Sequence, residues 1–411
     1  MTPGRFDGFS LRYGRGGMDL RTWVLRALAA AQRRKVLFLH SDPELCAAVL
    51  AASDTKGNFL EALIATPAWS PIYSIESVDG ELWKQLSSDF KTVLARMRWR
   101  ERLPGLVAEQ LGHLRAARDV DAAWVLDSPK LAKSVASIMF GLVFERPMSA
   151  SDASLFYAAS LEWRREIAVK NAGDTRVKQT FWRRLHELVA SSSFKEGLET
   201  YEADPAAWLS VFAQPFLISP AINVGDIFVA VFAALDRDAA LAARVRLWAQ
   251  QDDRARIEGL LLEAIRLRHP FPMLERELQR DLNAHGTHIA AGTQVFISLD
   301  TFEQDQRVDP ERWLKSPKSN PYHAIPFAAG PRMCIGKPVA MELMASLLVA
   351  LLRDFPLHQL KPAQGHLYSG RGNDGSSSLS ETAYQLKVFA GALRRSIAIG
   401  RARKGPADTR A

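Results

Sequence analysis

One cysteine of this chain lies where its thiolate could bind a metal ion. Gly330 and Gly336 flank Cys334, and glycine lets a backbone turn tightly and approach a flat ligand closely. An apolar helical pattern begins directly after the second glycine, so the cysteine precedes a helix N-terminus. The helix dipole and the free amides there stabilise a thiolate. The alternative is an inert core thiol, the commoner role of a lone cysteine.

The sequence around the cysteine is more specific than the cysteine alone. Residues 327–336 read Phe-Ala-Ala-Gly-Pro-Arg-Met-Cys-Ile-Gly. The segment matches every fixed position of the haem-ligand loop Phe-x-x-Gly-x-Arg-x-Cys-x-Gly, and through it the chain resembles the cytochrome P450 family. The resemblance implies that Cys334 ligates the iron of a b-type haem. It also implies that Phe327 packs near the sulfur and that Gly336 belongs to the cofactor-binding loop.

A pair of charged residues earlier in the chain supports the resemblance. Glu263 and Arg266 are three residues apart on a helical pattern and therefore share one face. Leucine and isoleucine flank the pair, which indicates burial, and a buried ion pair needs further partners to offset its desolvation. In the family one partner comes from a Pro-x-Arg-Phe element, which Pro310-Glu-Arg312-Trp313 resembles. The resemblance thus implies a structural triad of Glu263, Arg266 and Arg312 beneath the cysteine loop.

The resemblance also assigns residues to the haem propionates. Arg276 and Arg332 match two arginines that bind these carboxylates in the family, and His323 is a further candidate for the same role. Trp83 opens an element similar to the family's Trp-x-x-x-Arg, but its fifth position is a serine. One expected contact is therefore missing or is supplied by a neighbour such as Lys84.

The expected central helix, residues 207–235, departs from the family. Oxygen-activating members carry an acid followed by a threonine there, whereas this chain has Ser219-Pro220. Cleavage of an O–O bond needs protons, and proline has neither a side-chain donor nor an amide hydrogen to supply them. Proline also bends a helix, at a cost of roughly 3 kcal/mol. Ser219 and Asn223 are the nearby polar side chains that could relay protons.

The unusual central helix leaves several functions open. A monooxygenase would use dioxygen, with Ser219, Asn223 or a substrate hydroxyl delivering protons. A peroxygenase would use hydrogen peroxide, since the family's fatty-acid peroxygenases carry Arg-Pro at this place, although Ser219 breaks that match. A non-oxygenating isomerase or dehydratase would need neither oxidant. A haem-binding sensor without turnover is the rival from another class, and Pro220 could also bend the helix without mechanistic meaning.

The expected substrate pocket is rich in apolar side chains, which favours a small, largely apolar organic substrate. In the resembled fold it would be bordered by Trp69, Tyr73, Phe216, Phe271, Met273 and Leu274. The segment that holds Trp69 and Tyr73 contains glycine and proline and could equally be an ordinary surface loop.

The length of the chain would ordinarily suggest two or three domains, whereas the resemblance implies one large, mostly helical unit. The 411 residues are 47 % apolar, and two cysteines cannot form a disulfide framework, which indicates a reducing cytoplasm. No apolar run reaches the length of a membrane span, and the N-terminus lacks a secretory pattern. The resemblance implies a soluble bacterial type with one catalytic domain over 19–393. We expect a flexible arm (1–18) before it and a disordered basic tail (394–411) after it.

The resemblance implies an α+β fold, mainly helical with a small sheet, in which a triangular helical prism surrounds the haem. The net charge of +8 comes without a basic-aromatic nucleic-acid motif, so we expect neither a nucleic-acid partner nor a membrane. The basic surface could dock a separate ferredoxin or flavodoxin, or only solubilise a monomer. The residues considered for this docking face are Lys84, Lys91, Arg96, Arg98 and Lys337.

Overall fold

The structure is a computed structural model that describes residues 20–39, 42–57, 75, 78–121, 123–168, 175–193, 196, 210–271, 273–299, 307–315, 320–360, 390, 393–394 and 396–402. Its α-helices are α1 (Leu20–Ala31), α2 (Pro43–Ala52), α3 (Gly80–Arg96), α4 (Trp99–Val120), α5 (Ser128–Phe144), α6 (Ala150–Ala168), α7 (Thr175–Ala190), α8 (Ser219–Arg237), α9 (Ala239–Gln251), α10 (Arg254–Leu267) and α11 (Lys337–Asp354). Short 3₁₀ segments cover Pro310–Leu314, Gly330–Arg332 and Leu357–Gln359. The prediction of a mainly helical chain is therefore confirmed.

Two small sheets accompany the helices in the described part of the chain. Their strands are β1 (Lys35–Leu39), β2 (Met273–Glu277), β3 (Leu282–Ala284), β4 (Thr287–Ile289) and β5 (Thr293–Ser298). β1 pairs in parallel with β5, β2 pairs antiparallel with the other side of β5, and β3 and β4 form a hairpin. Arg276 lies opposite the buried Val295, so both side chains leave the sheet on the same buried face.

Helix α8 is the central element of the helical part. It packs against α5, α6, α9, α10 and α11, and a helix surrounded in this way is apolar around much of its circumference. With the residues before it, the helix runs over Ser210–Arg237 and is long and apolar enough to cross a membrane, although 67 % of its most apolar window is buried in the structure. The expectation that no apolar stretch reaches this length is therefore wrong, while burial of this kind is typical of a core helix.

The central helix changes its winding just before Pro220. Residues Ala213–Ile218 form a π-helical segment, and α8 then begins with Pro220 in its first turn. Proline lacks the amide hydrogen that would bond the carbonyl four residues earlier, at Phe216, but it is well tolerated in the first turn of a helix. The bend expected at Pro220 thus corresponds to an interruption of α-helical hydrogen bonding in the preceding segment, a feature frequent at functional sites.

The end of the chain differs from the predicted disordered tail. Residues 396–402 are helical, and the buried Ser396 accepts a hydrogen bond from the Gln32 side chain at 3.2 Å. This bond joins the segment to the end of α1, which lies more than 360 positions away in sequence. The arm 1–18 and residues 403–411 lie outside the described residues.

Candidate functional site

The loop that carries Cys334 is held by close packing and by backbone hydrogen bonds. Gly330 has a φ of +69°, and a Cβ atom on it would lie 2.6 Å from both the Ala51 Cα and the Leu50 carbonyl oxygen. Only glycine fits there, because α2 is too close and the backbone conformation is left-handed. The Cys334 amide donates to the Phe327 carbonyl at 2.9 Å and closes the loop. The cysteine is therefore presented from a fixed backbone.

Cys334 is the accessible one of the two thiols. Its side chain is exposed, and α11 begins three residues later, where the Lys337 amide donates to the Cys334 carbonyl at 3.3 Å. The open amides at a helix N-terminus favour an anionic group nearby. Cys46, in contrast, is fully buried in α2, and burial raises the pKa of its thiol far above the usual range. Cys334 is thus the cysteine that can serve as an anionic ligand.

A single thiolate does not make a site for a bare metal ion, which needs several protein ligands. Within the described ranges, no group of three or more histidine, cysteine, aspartate or glutamate side chains could hold one. An accessible thiolate without companion ligands fits a metal that is already bound in a macrocycle, as haem iron is.

The structure brings the predicted triad together under the loop. Arg266 and Glu263 are fully buried, and two hydrogen bonds of 2.7 and 3.0 Å join them in parallel. Arg312 completes the set, with its Nε 3.2 Å from Glu263 Oε1. Glu263 also accepts the Trp313 indole N–H at 2.9 Å and the Asp309 amide at 3.2 Å. The carboxylate therefore has the additional partners that a buried ion pair requires.

The triad supports the segment that leads into the cysteine loop. The Arg266 and Arg312 guanidinium carbons lie 4.9 and 5.4 Å from the centroid of the Tyr322 ring, in cation–π geometry. Gly259 of α10 allows the 3₁₀ segment to approach, because a Cβ there would lie 2.4 Å from the Pro310 carbonyl oxygen. Tyr322 belongs to the turn segment 321–327, which continues into the loop. The ion cluster therefore contacts the segment that continues into the cysteine loop, as a structural support would.

Arg276 is a buried cation with an unused donor. The residue is 1 % exposed, its Nη1 donates to the Glu275 carbonyl at 2.7 Å, and its Nε has no hydrogen-bond partner. Burial, and then the positive charge of nearby Arg332, lower the pKa of Arg276 to about 10. The carboxylates of Glu275, Asp79 and Asp54 oppose this lowering of the pKa only in part, and a buried donor without a partner is unfavourable. The carboxylate of a haem propionate would satisfy this donor, so the residue fits the predicted cofactor.

Arg332 is already engaged by the protein. Its Nε donates to the Asp54 carbonyl at 2.6 Å, and its Nη2 donates to the Val78 carbonyl at 2.8 Å and forms an ion pair with Asp79. The guanidinium carbon lies 4.1 Å from the centroid of the Trp83 ring. The structure therefore places Arg332 beside Trp83 and adds Asp79 as a partner that sequence reasoning missed.

Two other residues predicted to contact the propionates are surface side chains. Lys84 is 62 % exposed, and its ammonium lies 3.4 Å from Glu81. His323 is exposed as well, and its Nδ1 lies 2.9 Å from the Asn320 carbonyl within the same turn. Neither side chain has the burial of Arg276.

The serine at the family's arginine position borders a cleft along α3. The cleft has a volume of about 470 Å³, and its lining includes Trp83, Lys84, Ser87, Ser88, Lys91, Thr92 and Ala95. The Ser87 hydroxyl is buried and has no hydrogen-bond partner. A serine in place of the longer arginine thus leaves a buried polar atom beside open space.

The central helix contributes one fully buried aromatic to the neighbourhood of the loop. The Phe216 ring packs against the Phe90 ring of α3 at 4.7 Å between centroids. Phe90 also lies beside the loop, since a Cβ on Gly336 would be 4.0 Å from the Phe90 Cζ. Ser219, Pro220 and Asn223 on α8 are half-buried. Phe90 therefore connects the central helix with the cysteine loop, and no motif pointed to it.

The residues predicted to border the substrate do not form one cluster. Phe271 and Leu274 pack with α2 and the sheet, whereas Met273 packs with Phe38 and Phe296. Phe216 belongs to the large helical core. Trp69 and Tyr73 lie outside the described residues. The predicted pocket is thus divided between the helical core and the sheet region.

The segment that carries Glu263, Arg276 and Cys334 is similar to a known family. Residues 248–386 match the sequence profile described as Cytochrome P450. The chain is 40 % identical over 118 residues to cytochrome P450 4d2 of Drosophila melanogaster. This aligned segment is 27 % of this chain and 24 % of the relative. It is 30 % identical over 119 residues to the methyltetrahydroprotoberberine 14-monooxygenase of Papaver somniferum, a segment that covers 26 % of this chain and 23 % of that relative. The matched segments span about a quarter of these curated relatives.

A solved structure extends the similarity along the chain. A six-coordinated cytochrome P450 of Thermus thermophilus matches with a TM-score of 0.57 at 19 % identity, covering 82 % of this chain and 90 % of that one. An identity this low shows the fold alone. Glu263, Arg276 and Cys334 lie inside the profile match, whereas the helices before residue 248 lie outside it.

Proposed function

We propose that this chain, a relative of the cytochromes P450 that has their fold, is a haem-thiolate monooxygenase acting on a small, largely apolar organic substrate. The family resemblance and the fold expected from the motifs are confirmed by the profile match and the shared fold. The reaction and the substrate remain proposals, because the matched segments cover about a quarter of the curated relatives.

One observation carries the proposal: an exposed thiol stands on a fixed loop at a helix N-terminus, without companion metal ligands among the described residues. A b-type haem needs one such ligand and partners for its carboxylates. The unused Nε of buried Arg276 is a donor of the required kind. A bound haem would supply the oxidising power, and a thiolate ligand favours cleavage of an O–O bond.

The residues around the loop would divide the work of holding the cofactor. Cys334 would bind the iron, Phe327 would pack near the sulfur, and Gly336 would let the ring approach. Arg276 would receive a propionate, while Arg332, tied to Asp79, would supply positive charge from a fixed position. The buried triad would keep the loop in place without touching the reacting atoms.

The distal side would depend on the polar groups of α8. We propose Ser219 and Asn223 as the proton-relaying side chains, since both are half-buried and lie within about one turn of each other. Pro220 favours a second candidate function, a peroxide-dependent oxygenation, because it takes the position of the alcohol that dioxygen-using members carry. Hydrogen peroxide already contains the protons that dioxygen cleavage would need delivered.

A monooxygenase of this kind would take its electrons from a separate ferredoxin or flavodoxin. The proposed docking face consists of Lys84, Lys91, Arg96 and Arg98, which are exposed, and Lys337, which is half-buried. Ion pairs with Glu81 and Glu101 reduce the net charge of this face at Lys84 and Arg98. We propose a monomer located in the cytoplasm. The cytoplasmic location is supported by the cysteines, since the buried Cys46 and the proposed iron ligand leave none for a disulfide.

The test compares oxidants on the purified, hemin-loaded protein. Small apolar compounds that shift the haem spin state would be incubated with ferredoxin, its reductase, NADPH and dioxygen, or with hydrogen peroxide alone. We expect hydroxylated product with the electron-transfer system. Oxidised product with hydrogen peroxide alone would support the peroxygenase. Conversion of the compound when both the electron-transfer system and peroxide are left out would support an isomerase or dehydratase. Spectral shifts without any turnover would support a sensor, and failure to bind hemin would refute the proposal.

A further inference from the structure

His269 connects the end of α10 to the backbone of the cysteine loop. The residue is 7 % exposed and directly follows the C-terminal cap of α10. Its Nε2 lies 3.2 Å from the Pro326 carbonyl oxygen, and its Nδ1 lies 3.0 Å from both the amide nitrogen and the carbonyl oxygen of Phe271. We propose that His269 is a positioning residue that fixes the loop presenting Cys334. The proposal rests on the function proposed for this loop.

The contacts of the ring favour one tautomer. A neutral ring carries one N–H, and the carbonyl oxygens of Phe271 and Pro326 can only accept. A hydrogen on Nε2 reaches Pro326 and leaves Nδ1 able to accept from the Phe271 amide, whereas a hydrogen on Nδ1 would reach the Phe271 carbonyl and give up both of these contacts. The Nδ1 atom then accepts the Phe271 amide hydrogen, and both ring nitrogens are satisfied by backbone groups. The ring is neutral in this arrangement, in agreement with the burial that lowers the pKa of His269. A neutral Nε2–H imidazole therefore bridges two backbone segments that are separated by 57 positions.

The bridge reaches the cysteine through a short path. Pro326 is bonded to Phe327, whose carbonyl accepts the Cys334 amide hydrogen at 2.9 Å. The Pro326 carbonyl and the Cys334 amide are thus separated by one residue and one hydrogen bond. Pro326 is buried, so without the His269 donor its carbonyl would lose a partner in a place where such losses are unfavourable.

His269 holds a part of the loop that the other supports do not reach directly. Gly330 packs the loop against α2, and the ion triad supports Tyr322 from below. His269 bonds the residue immediately before Phe327, the side chain predicted to pack near the sulfur. Loss of this bond should make the backbone of the cysteine loop more mobile, while the hydrogen bonds of the ion triad stay in place.

The test separates the two hydrogen bonds of the ring with matched variants of the full chain. In His269→Gln the amide nitrogen can reach the position of Nε2 and keep the donor to Pro326. In His269→Asn the amide oxygen can replace Nδ1, but the side chain is too short for Pro326. His113→Gln, an exposed histidine on α4, is the control. Two readouts are used: deuterium exchange of the peptide spanning 327–336, and the red-shifted band of the reduced carbon-monoxide complex.

We expect exchange of the Cys334 amide to be at least about tenfold faster in His269→Asn, because a buried acceptor has lost its donor. His269→Gln and His113→Gln should stay close to the wild type, and the thiolate band should weaken in the asparagine variant alone. Equal protection in all four proteins would overturn the proposal. If the wild type binds no haem, the proposed function fails, while exchange in the haem-free chain still decides the role of His269.

The tautomer can be measured on the wild-type chain, with one variant used only to assign the signal. Nitrogen chemical shifts of the wild-type histidines distinguish Nε2–H from Nδ1–H imidazole, and the signal missing in His269→Gln assigns the residue. An Nε2–H tautomer at neutral pH is expected. An Nδ1–H tautomer would overturn the proposal, because the ring would have no donor for the Pro326 carbonyl. An imidazolium would also overturn it, because the bridge requires a neutral ring.

Discussion

Arg276 and Arg332 are two like charges near enough for the charge of Arg332 to lower the pKa of Arg276, at a place where the motifs predict a carboxylate. The positive charge of Arg332 adds to burial in lowering the pKa of Arg276 to about 10. Arg332 has its own carboxylate in Asp79, whereas Arg276 keeps a buried Nε without a hydrogen-bond partner. The two arginines therefore differ in their hydrogen bonding, although the motifs assign them the same role.

This difference predicts opposite outcomes for two substitutions. Arg276→Leu should weaken hemin binding at least about tenfold and leave the free energy of unfolding of the haem-free chain unchanged or raised, because a buried guanidinium whose Nε has no hydrogen-bond partner is removed. Arg332→Leu should destabilise the haem-free chain by about 2–4 kcal/mol, because three acceptors lose their donor. Hemin titration and urea unfolding measure the two effects, and equal effects in both variants would contradict the assignment.

The cysteine assignment predicts a spectroscopic loss. Cys334→Ser should abolish the red-shifted absorption band of the reduced carbon-monoxide complex, because a serine hydroxyl is not a thiolate ligand. Cys46→Ala removes the other sulfur and should keep the band, since that thiol is fully buried in α2. A band that persists in Cys334→Ser would refute the ligand assignment.

The buried triad predicts that a substitution in it lowers the free energy of unfolding, although none of its residues is proposed to touch the reacting atoms. Glu263→Gln leaves the Arg266 charge buried and uncompensated, so the free energy of unfolding should fall by about 3–5 kcal/mol. Glu311→Gln, which alters an exposed carboxylate 3.6 Å from Arg256, should change it by less than about 0.5 kcal/mol. Denaturant unfolding of both variants measures the difference, and similar values would show that the triad is not a structural anchor.

His269 predicts an acid limit to stability. Burial lowers its pKa from 6.5 to about 4, so above pH 6.5 the ring is neutral in both states and adds no pH dependence. As the pH falls from 6.5 to 4, the unfolded chain takes up a proton that the folded chain does not, and stability is lost by roughly 3 kcal/mol in total. Unfolding of the wild type across this range should be steeper than that of His269→Gln, and parallel curves would argue against the buried neutral ring.

The motifs predicted contacts that are local or that a known family pattern specifies. The cysteine loop and the Glu263–Arg266 pair were found because each lies within a few residues of sequence. Arg312 was found because the family supplies the spacing. His269 and Asp79 were missed, since the Pro326 carbonyl lies 57 positions after the histidine and Arg332 lies 253 positions after the aspartate. A histidine just past a helix end and an aspartate before a glycine are weak signals in sequence.

The expectations that differ from the structure concern burial and packing. Lys84 and His323 have suitable chemistry for carboxylates, yet both are exposed. Phe271 and Met273 are two residues apart on a strand pattern, but they pack in different clusters. The helical segment 396–402 lies within the tail that was predicted to be disordered, and its packing against the end of α1 is seen in the hydrogen bond from Gln32 to the buried Ser396. These properties depend on neighbours that are distant along the chain.

The sequence by itself determined which sulfur can bind a metal, which helix carries the supporting ion pair and where the central helix loses its usual polar residues. Side-chain type and short spacing decide these points, because they are fixed by covalent order. The tertiary structure alone decided that Arg276 keeps an unused donor, that Arg332 is bound to Asp79 and that His269 holds the Pro326 carbonyl. Hydrogen-bond partners and burial are set by which distant segments pack together, and no local pattern contains that information.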